Sequence, residues 1–415
     1  MSEFIARAVM TNQECAVPTS ARIDPPQRGT RPSNRRELIL LAANDLFATR
    51  GFEHVSMSDV AEAVAIGPSA LYRHFPGKHQ LLLNVVEEQI RQFISVIESE
   101  DHRCLDDVFR AIAAHCLDHR DLGLLWQREA RHLTQADRST LRAQLRDAVD
   151  LIILRQQSSR PDMSPRTADL VTWAGLALLL SPSFHHVDLK RSGYESLLFQ
   201  LTQRVRSIDP LPDPTEQVTS SGTLRWSSRR EQVLECAVEL FAEHTYASVS
   251  IEDIGTAAGI AASSIYSHFP SKLDMLKAAL WRGNAHLQLS VAAALRQSTD
   301  PRQALRQIVD SYADFAVAHY GLVQITMAEV RNLPDPERET MVQLQRDHIG
   351  EWTHLLRQVH SELDASTGRV IVQAVITMIN NVALTSHLRN QPGAAAALRA
   401  LAEAVLDLRT HQGPI

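Results

Sequence analysis

Cysteine is scarce. Four residues in 415 (Cys15, Cys104, Cys116 and Cys236) form no CxxC pair, which argues against a disulfide framework or a zinc site. Long apolar runs are missing too. The longest, Leu170–Leu180, includes Thr172 and falls short of the ~20 residues that cross a bilayer. Met1–Met10 has no long apolar core, so no signal peptide is expected. Together these absences predict a cytoplasmic chain with no membrane partner. There is no phosphate loop, nucleophile motif or metal-ligand spacing, so neither an enzymatic activity nor a cofactor is expected. The adjacent pair His185–His186 does not change this, because neighbouring residues do not share a helix face. Net positive charge is also lacking. A formal charge of −6 excludes attraction of the whole surface to nucleic acid, but not a local basic patch. Glycine is limited to 16 residues and strand-like alternation is absent, which leaves an all-α fold.

What the chain does have is an internal repeat. Residues 65–78 (AIGPSALYRHFPGK) return at 259–272 (GIAASSIYSHFPSK), 194 residues later and without a gap. At that offset, residues 35–82 and 229–276 share 20 of 48 identities, far beyond coincidence. Similarity resumes downstream at an offset of 200. Glu129, Arg131, Leu133, Arg138, Thr140, Arg146 and Asp147 match Glu329, Arg331, Leu333, Arg338, Thr340, Arg346 and Asp347. A whole subunit is therefore duplicated, not a motif alone. Each copy follows a polar, Pro-rich segment ending in positive charge. The first is an arm over residues 1–34 with Arg28, Arg31, Arg35 and Arg36 at its end. The second is a linker over 208–226 leading to Arg225, Arg229 and Arg230.

Within each copy the start is a helix, from about Arg35 to Thr49 in the first, with an apolar stripe of Leu38, Leu41, Leu46 and Phe47 and a stop at Gly51. Ser56–Asp59 and Ser250–Asp253 then read as capping boxes. A short helix, a turn at Ala65–Gly67 and a third helix from Pro68 complete a helix-turn-helix, whose last helix suits a major groove. On that helix Ile66, Leu71 and Phe75 face inward. Ser69, Ala70 and Arg73 are left outward beside Tyr72 and His74. Small outward residues permit close approach to bases, while Tyr72, His74 and Lys78 suit phosphate oxygens. Downstream, helices are predicted at about 78–99, 103–118, 121–133, 135–157, 165–181 and 193–207. In the second copy they fall at about 272–297, 301–319, 321–332, 336–362, 366–388 and 394–409.

Both copies resemble the TetR family of bacterial transcriptional repressors, on the run Leu71-Tyr72-Arg73-His74-Phe75-Pro76-Gly77-Lys78 and its second form Ile265-Tyr266-Ser267-His268-Phe269-Pro270-Ser271-Lys272. The resemblance implies a tandem repeat of an N-terminal three-helix helix-turn-helix DNA-binding domain (35–80 and 227–274) plus a helical regulatory and dimerisation domain (81–207 and 275–410). It places Ser56, Tyr72, His74 and Lys78 at phosphates, with Pro68, Ser69 and Ala70 near bases. The same roles fall on Ser250, Tyr266, His268 and Lys272, and on Ala262, Ser263 and Ser264. Arg36 and Arg230, at the ends of the basic segments, join the DNA-binding set.

The implied function is a ligand-released repressor of double-stranded DNA with a small-molecule effector. It would act as an intramolecular pseudo-dimer on a quasi-palindrome, with helices 165–181 and 193–207 packed against 366–388 and 394–409. A further homodimer of chains stays open. So does the alternative of a helical dimerisation or interaction protein in which one helix-turn-helix no longer binds DNA. The copies depart from the family pattern at Ala65, where Gly259 keeps the turn glycine, and at Thr245, which stands where the first copy has Gly51. Gly67 and Ala261 stand where the family has Ser; Ala is a poor cap, by about 1 kcal/mol. Arg73 against Ser267 favours the first copy at DNA. Phe109, Trp126, Trp281 and Phe315 read as core before effector lining, and Glu129-x-Arg131 and Glu329-x-Arg331 as structural ion pairs.

Overall fold

The computed structural model describes residues 34–208, 211 and 226–408. Cys15, Arg28, Arg31, Arg225 and most of the predicted arm and linker lie outside the described residues. Among those described are nineteen α-helices and no strand. In the first copy they are α1 (Arg35–Arg50), α2 (Met57–Ala63), α3 (Pro68–His74), α4 (Lys78–Glu98), α5 (Leu105–Asp118), α6 (Leu122–Gln127), α7 (Gln135–Ser159), α8 (Pro165–Leu180) and α9 (Arg191–Arg206). The second copy holds α10 (Arg229–Glu243), α11 (Ile251–Ala258), α12 (Ala262–Ile265), α13 (Lys272–Gln297), α14 (Pro301–Ala318), α15 (Tyr320–Ala328), α16 (Asp335–Val359), α17 (Ala365–Leu384), α18 (Ser386–Arg389) and α19 (Ala394–Val405).

Two compact units result, and they differ from the units of duplication. Unit one comprises residues 1–148 and 182–186; unit two comprises 149–181 and 187–415. The core of unit one gathers Ile39, Ala43, Phe47, Leu71, Phe75, Leu81 and Leu82 around α1, α3 and α4. The inward face of α1 is Ile39, Leu40, Ala43, Leu46 and Phe47, at i, i+4, i+7 spacing from Ile39. Leu38 and Leu41, assigned to that stripe from sequence, are only half-buried.

Unit two joins the helix-turn-helix of the second copy to a larger core that includes the last two helices of the first. α8 packs on α17, α9 on α8 and α19, and α17 on α19. Val171, Ala174 and Leu178 of α8 share this core with Val372, Val375 and Ile379 of α17. Polar ties line its edge. Asp169 Oδ2 accepts from Gln391 Nε2 at 3.2 Å, Arg204 donates to the Val405 carbonyl at 2.7 Å, and Arg166 donates to the Pro392 carbonyl. The stretches Pro165–Phe184 and Ala365–Leu384 are each 20 residues and apolar enough to cross a membrane by length and composition. The run Leu170–Leu180 is the apolar centre of the first stretch, which is longer than that run. Both stretches are mostly buried against protein, which accounts for their composition.

Three predicted helices are interrupted. The stretches 121–133 and 321–332 each break into an α-helix and a 3-10 turn, at 129–132 and 330–332. In the first copy the break sets the buried Glu129 carboxylate under the backbone N–H of Phe52, at 2.7 Å. The stretch 366–388 breaks at Thr385, whose ψ of 104° leaves the helical region before α18.

Candidate nucleic-acid interface

Each helix-turn-helix is set by its caps. Ser56 Oγ accepts from the Asp59 amide at 3.1 Å, while the Ser56 amide donates to the Asp59 carboxylate at 2.6 Å. Ser250 and Asp253 repeat this at 3.0 and 2.8 Å. Hydrogen bonds from the serine hold the Asp59 and Asp253 carboxyls below the usual carboxylate range. The serine hydroxyls are thus committed to the helix ends.

The turns are alike in shape and unequal in strain. Gly259 adopts the left-handed region (φ 67°, ψ 35°) and ends α11 there, whereas Ala65 must adopt φ 54° without glycine's freedom. After the turn, α3 begins with Pro68 at its first position and runs to His74. Its counterpart α12 covers only Ala262–Ile265. Beyond it the chain tightens into 3-10 bonds, with Ser267 N–H on Ser264 O at 3.3 Å and His268 N–H on Ile265 O at 2.8 Å. Serines explain the difference: Ser267 Oγ donates back to Ser264 O at 2.7 Å, competing with the helical pattern where the first copy has Arg73 and Ala70.

Most of the predicted DNA-binding residues share one exposed surface in each copy. Leu71 and Phe75 are buried beneath it, as are Ile265 and Phe269. Pro68, Ser69, Arg73 and His74 are exposed and Ala70 half-buried; Ser263 and Ser264 are exposed, Ala262 and His268 half-buried. Tyr72 and Tyr266 stand out at 52% and 56% exposure, unusual for large rings. Arg36 lies over the Phe75 ring at 5.1 Å and Arg230 over Phe269 at 4.3 Å, so both guanidinium groups sit beside the reading helix.

The two lysines point elsewhere. Lys78 Nζ sits 4.1 Å from the Phe52 ring centre and 3.5 Å from the Glu53 carbonyl, and burial lowers its pKa. Lys272 Nζ donates to the Tyr246 and Val249 carbonyls at 2.7 and 2.8 Å. These ammonium groups tie the starts of α4 and α13 to the corner after the first helix of each copy. What remains for an anion is the helix start itself. In α4 the cap is Gly77, with no side-chain bond, so the first amides are open. In α13 Ser271 Oγ accepts from the Asp274 amide at 3.2 Å, and the Asp274 carboxylate stands in the first turn.

A second set of contacts, not foreseen from sequence, joins this domain to the helices behind it. Asn44 of α1 donates to the buried Asp121, and Arg128 donates to the Ala48 carbonyl at 2.6 Å and to Glu129 at 2.5 Å. Glu129 thus has a structural role, through Arg128 and the Phe52 amide. Comparing the copies would have found the first pair, since Asn44 and Asp121 become Val238 and Gly321 together. Of the aromatic residues, Phe109 and Phe315 are buried core, Trp126 packs against the unit-one core, and Trp281 is exposed.

Residues 39–85 and 233–279 each match the family of bacterial regulatory proteins, tetR family, and residues 298–384 match a tetracyclin repressor-like C-terminal domain. The chain is 29% identical over 150 residues to the HTH-type transcriptional activator FasR of Mycolicibacterium smegmatis, across 36% of this chain and 68% of that protein. It is 32% identical over 114 residues to the HTH-type transcriptional repressor KstR2 of Rhodococcus jostii, across 28% of this chain and 56% of that one. A TetR-family transcriptional regulator from Bordetella parapertussis aligns at 22% identity and a TM-score of 0.41, over 44% of this chain and 96% of its own.

Proposed function

Because the chain belongs to the TetR family of DNA-binding transcription regulators, as two TetR-like subunits in one polypeptide, we propose that it works as a single-chain pseudo-dimer. The observation that carries this is the packing of α8 and α9 with α17 and α19 in one core. Two-fold related subunits place two recognition helices for two half-sites, and unequal helices read unequal half-sites. The operator is then a quasi-palindrome with one divergent arm, bound in the cytoplasm by a repressor that a small molecule releases. The relatives carry both signs of regulation in their names, activator and repressor.

At the DNA, Tyr72, His74 and the open amides of α4 hold phosphates in the first copy, and Pro68, Ser69, Ala70 and Arg73 lie at bases. Tyr266 and His268 serve the second copy, with Ala262, Ser263 and Ser264 at bases. Arg36 and Arg230 add charge beside each. Lys78 acts by fixing the helix that offers those amides, and Lys272 fixes the start of α13. Effector binding shifts the population of domain orientations through contacts such as Asn44–Asp121 and Arg128–Ala48. A 10⁴ change in occupancy ratio requires about 5.5 kcal/mol of differential affinity.

Selection from random DNA with the full chain tests this reading. A quasi-palindrome is expected, and Tyr72→Ala should weaken binding on all sequences with the salt slope unchanged, because its hydroxyl is uncharged, whereas Arg36→Ala should lower the slope by about one. A perfect palindrome, or no enriched motif, would contradict it. The short α12 and the acid at the start of α13 favour a second reading, in which the second helix-turn-helix is silent at DNA. That reading predicts a single half-site and no effect of Tyr266→Ala.

A further inference from the structure

We propose that the first copy binds a linear aliphatic amine cation in a channel between α1, α4 and α7. Two cavities, of about 400 and about 550 Å3, adjoin there and share Arg36, Leu40, Glu88 and Arg91 in their walls. Asn44 and Gln89 line the first cavity at only 4% and 6% exposure, and neither Asn44 Oδ1 nor Gln89 Oε1 has a hydrogen-bond partner. Both oxygens are sealed beside the cavity and meet it only when their amides turn; a buried acceptor left unpaired is costly, so two at one cavity favour a ligand that donates. The rest of the channel says what kind. Glu87, Glu88, Glu98 and Asp147 line the second cavity, against Arg36 and Arg91. Both guanidinium groups are engaged, Arg36 by Asn84 and Arg91 by Glu88. Negative charge is in excess: burial and the nearby Asp137 raise the pKa of Glu87. Leu40, Leu41 and Val85 offer apolar wall between the polar ends. Ammonium donors joined by methylenes fit that sequence of surfaces.

The second copy is an internal control. Asn44, Gln89 and Asp121 are replaced there by Val238, Gly283 and Gly321, and Glu87, Glu88 and Glu98 by Trp281, Arg282 and Ala292. Apolar groups stand beside two of these positions. A Cβ at Gly321 would lie 3.1 Å from Val238 Cγ1, and one at Gly283 would lie 3.7 Å from the Phe315 ring. The unpaired acceptors, their neighbour and the acids therefore differ as a set, as expected of a site held by one copy only.

The proposal rests on the regulatory reading only for its consequence at DNA; binding stands without it. Calorimetry on the full chain with 1,8-diaminooctane, octane-1,8-diol and octanedioate tests it. One diamine per chain is expected, with weaker diol and no dicarboxylate binding. Asn44→Val and Gln89→Ala should each weaken the diamine tenfold or more. Glu87→Gln, at an exposed wall position, should weaken it several-fold even if the buried variants fail to fold. No diamine binding, equal binding of the dicarboxylate, or affinity indifferent to all three substitutions overturns the site, and would leave the two oxygens to water. Operator affinity measured in parallel separates the two claims. Diamine binding with unchanged DNA affinity upholds the site and counts against effector release through it.

Discussion

Ala65→Gly should stabilise the first helix-turn-helix, and Gly259→Ala should destabilise the second. Ala65 holds φ 54°, and the left-handed region costs a residue with a Cβ about 1–2 kcal/mol. Glycine removes that strain but returns about 0.4–1 kcal/mol of unfolded-chain freedom. The net gain is roughly 0.5–1 kcal/mol. Gly259 holds φ 67°, and a Cβ there meets nothing within 4 Å, so the reverse substitution tests the backbone alone and loses a similar amount. A chain of two units need not unfold in one step, so a local probe is required. Hydrogen exchange at the Ile66 amide, bonded to Ala61 O at 2.9 Å, and at the Ile260 amide, bonded to Gly255 O at 3.0 Å, reports each turn. A shift near 1 kcal/mol is about fivefold in protection, upward for Ala65→Gly and downward for Gly259→Ala. Two shifts of the same sign, or no shift at Ile66, would refute the strain argument.

Other outcomes follow from the same contacts. Ser56→Ala and Ser250→Ala each remove a capping box and should cost about 1 kcal/mol locally, read by exchange in α2 and α11. Asp274→Gln should open the start of α13 to phosphate and raise operator affinity a few-fold in a filter-binding assay; no gain would count against the second head touching DNA. Burial drives the His348 pKa down to about 4, below the ordinary 6.5 of the unfolded chain. Between those values the unfolded state holds a proton that the folded state does not. Unit-two stability is therefore full above about pH 6.5 and declines as pH falls toward 4. His348→Gln keeps an acceptor for Trp352 Nε1, now 3.1 Å away, and should flatten that limb in denaturant titrations. An unchanged limb would assign it to another unit-two group whose pKa burial lowers from the histidine range, such as His319.

The local devices were legible because they are written in short range: Ser56–Asp59, Pro68 and the repeated Tyr-x-His-Phe run each act within a turn of helix. The four helices 165–181, 193–207, 366–388 and 394–409 were legible as apolar stretches, though not the break at Thr385. Long-range effects were harder. Nothing near Glu129 in sequence marks it as the partner of the Phe52 amide, far away along the chain. Lys78 reads as a phosphate ligand until Phe52 and Glu53 are seen beside its ammonium. The short α12 could have been anticipated from Ser263, Ser264 and Ser267, which compete with helical bonds. Asn44 and Gln89 look like ordinary surface amides on their helices, and only burial reveals their unpaired oxygens.

The pseudo-dimer is tested most directly by the mass of the complex on a selected duplex carrying both half-sites, measured by native mass spectrometry. One chain per duplex, lost when either half-site is scrambled, is the predicted result. Two chains per duplex, or one chain held equally well by a single half-site, would contradict it.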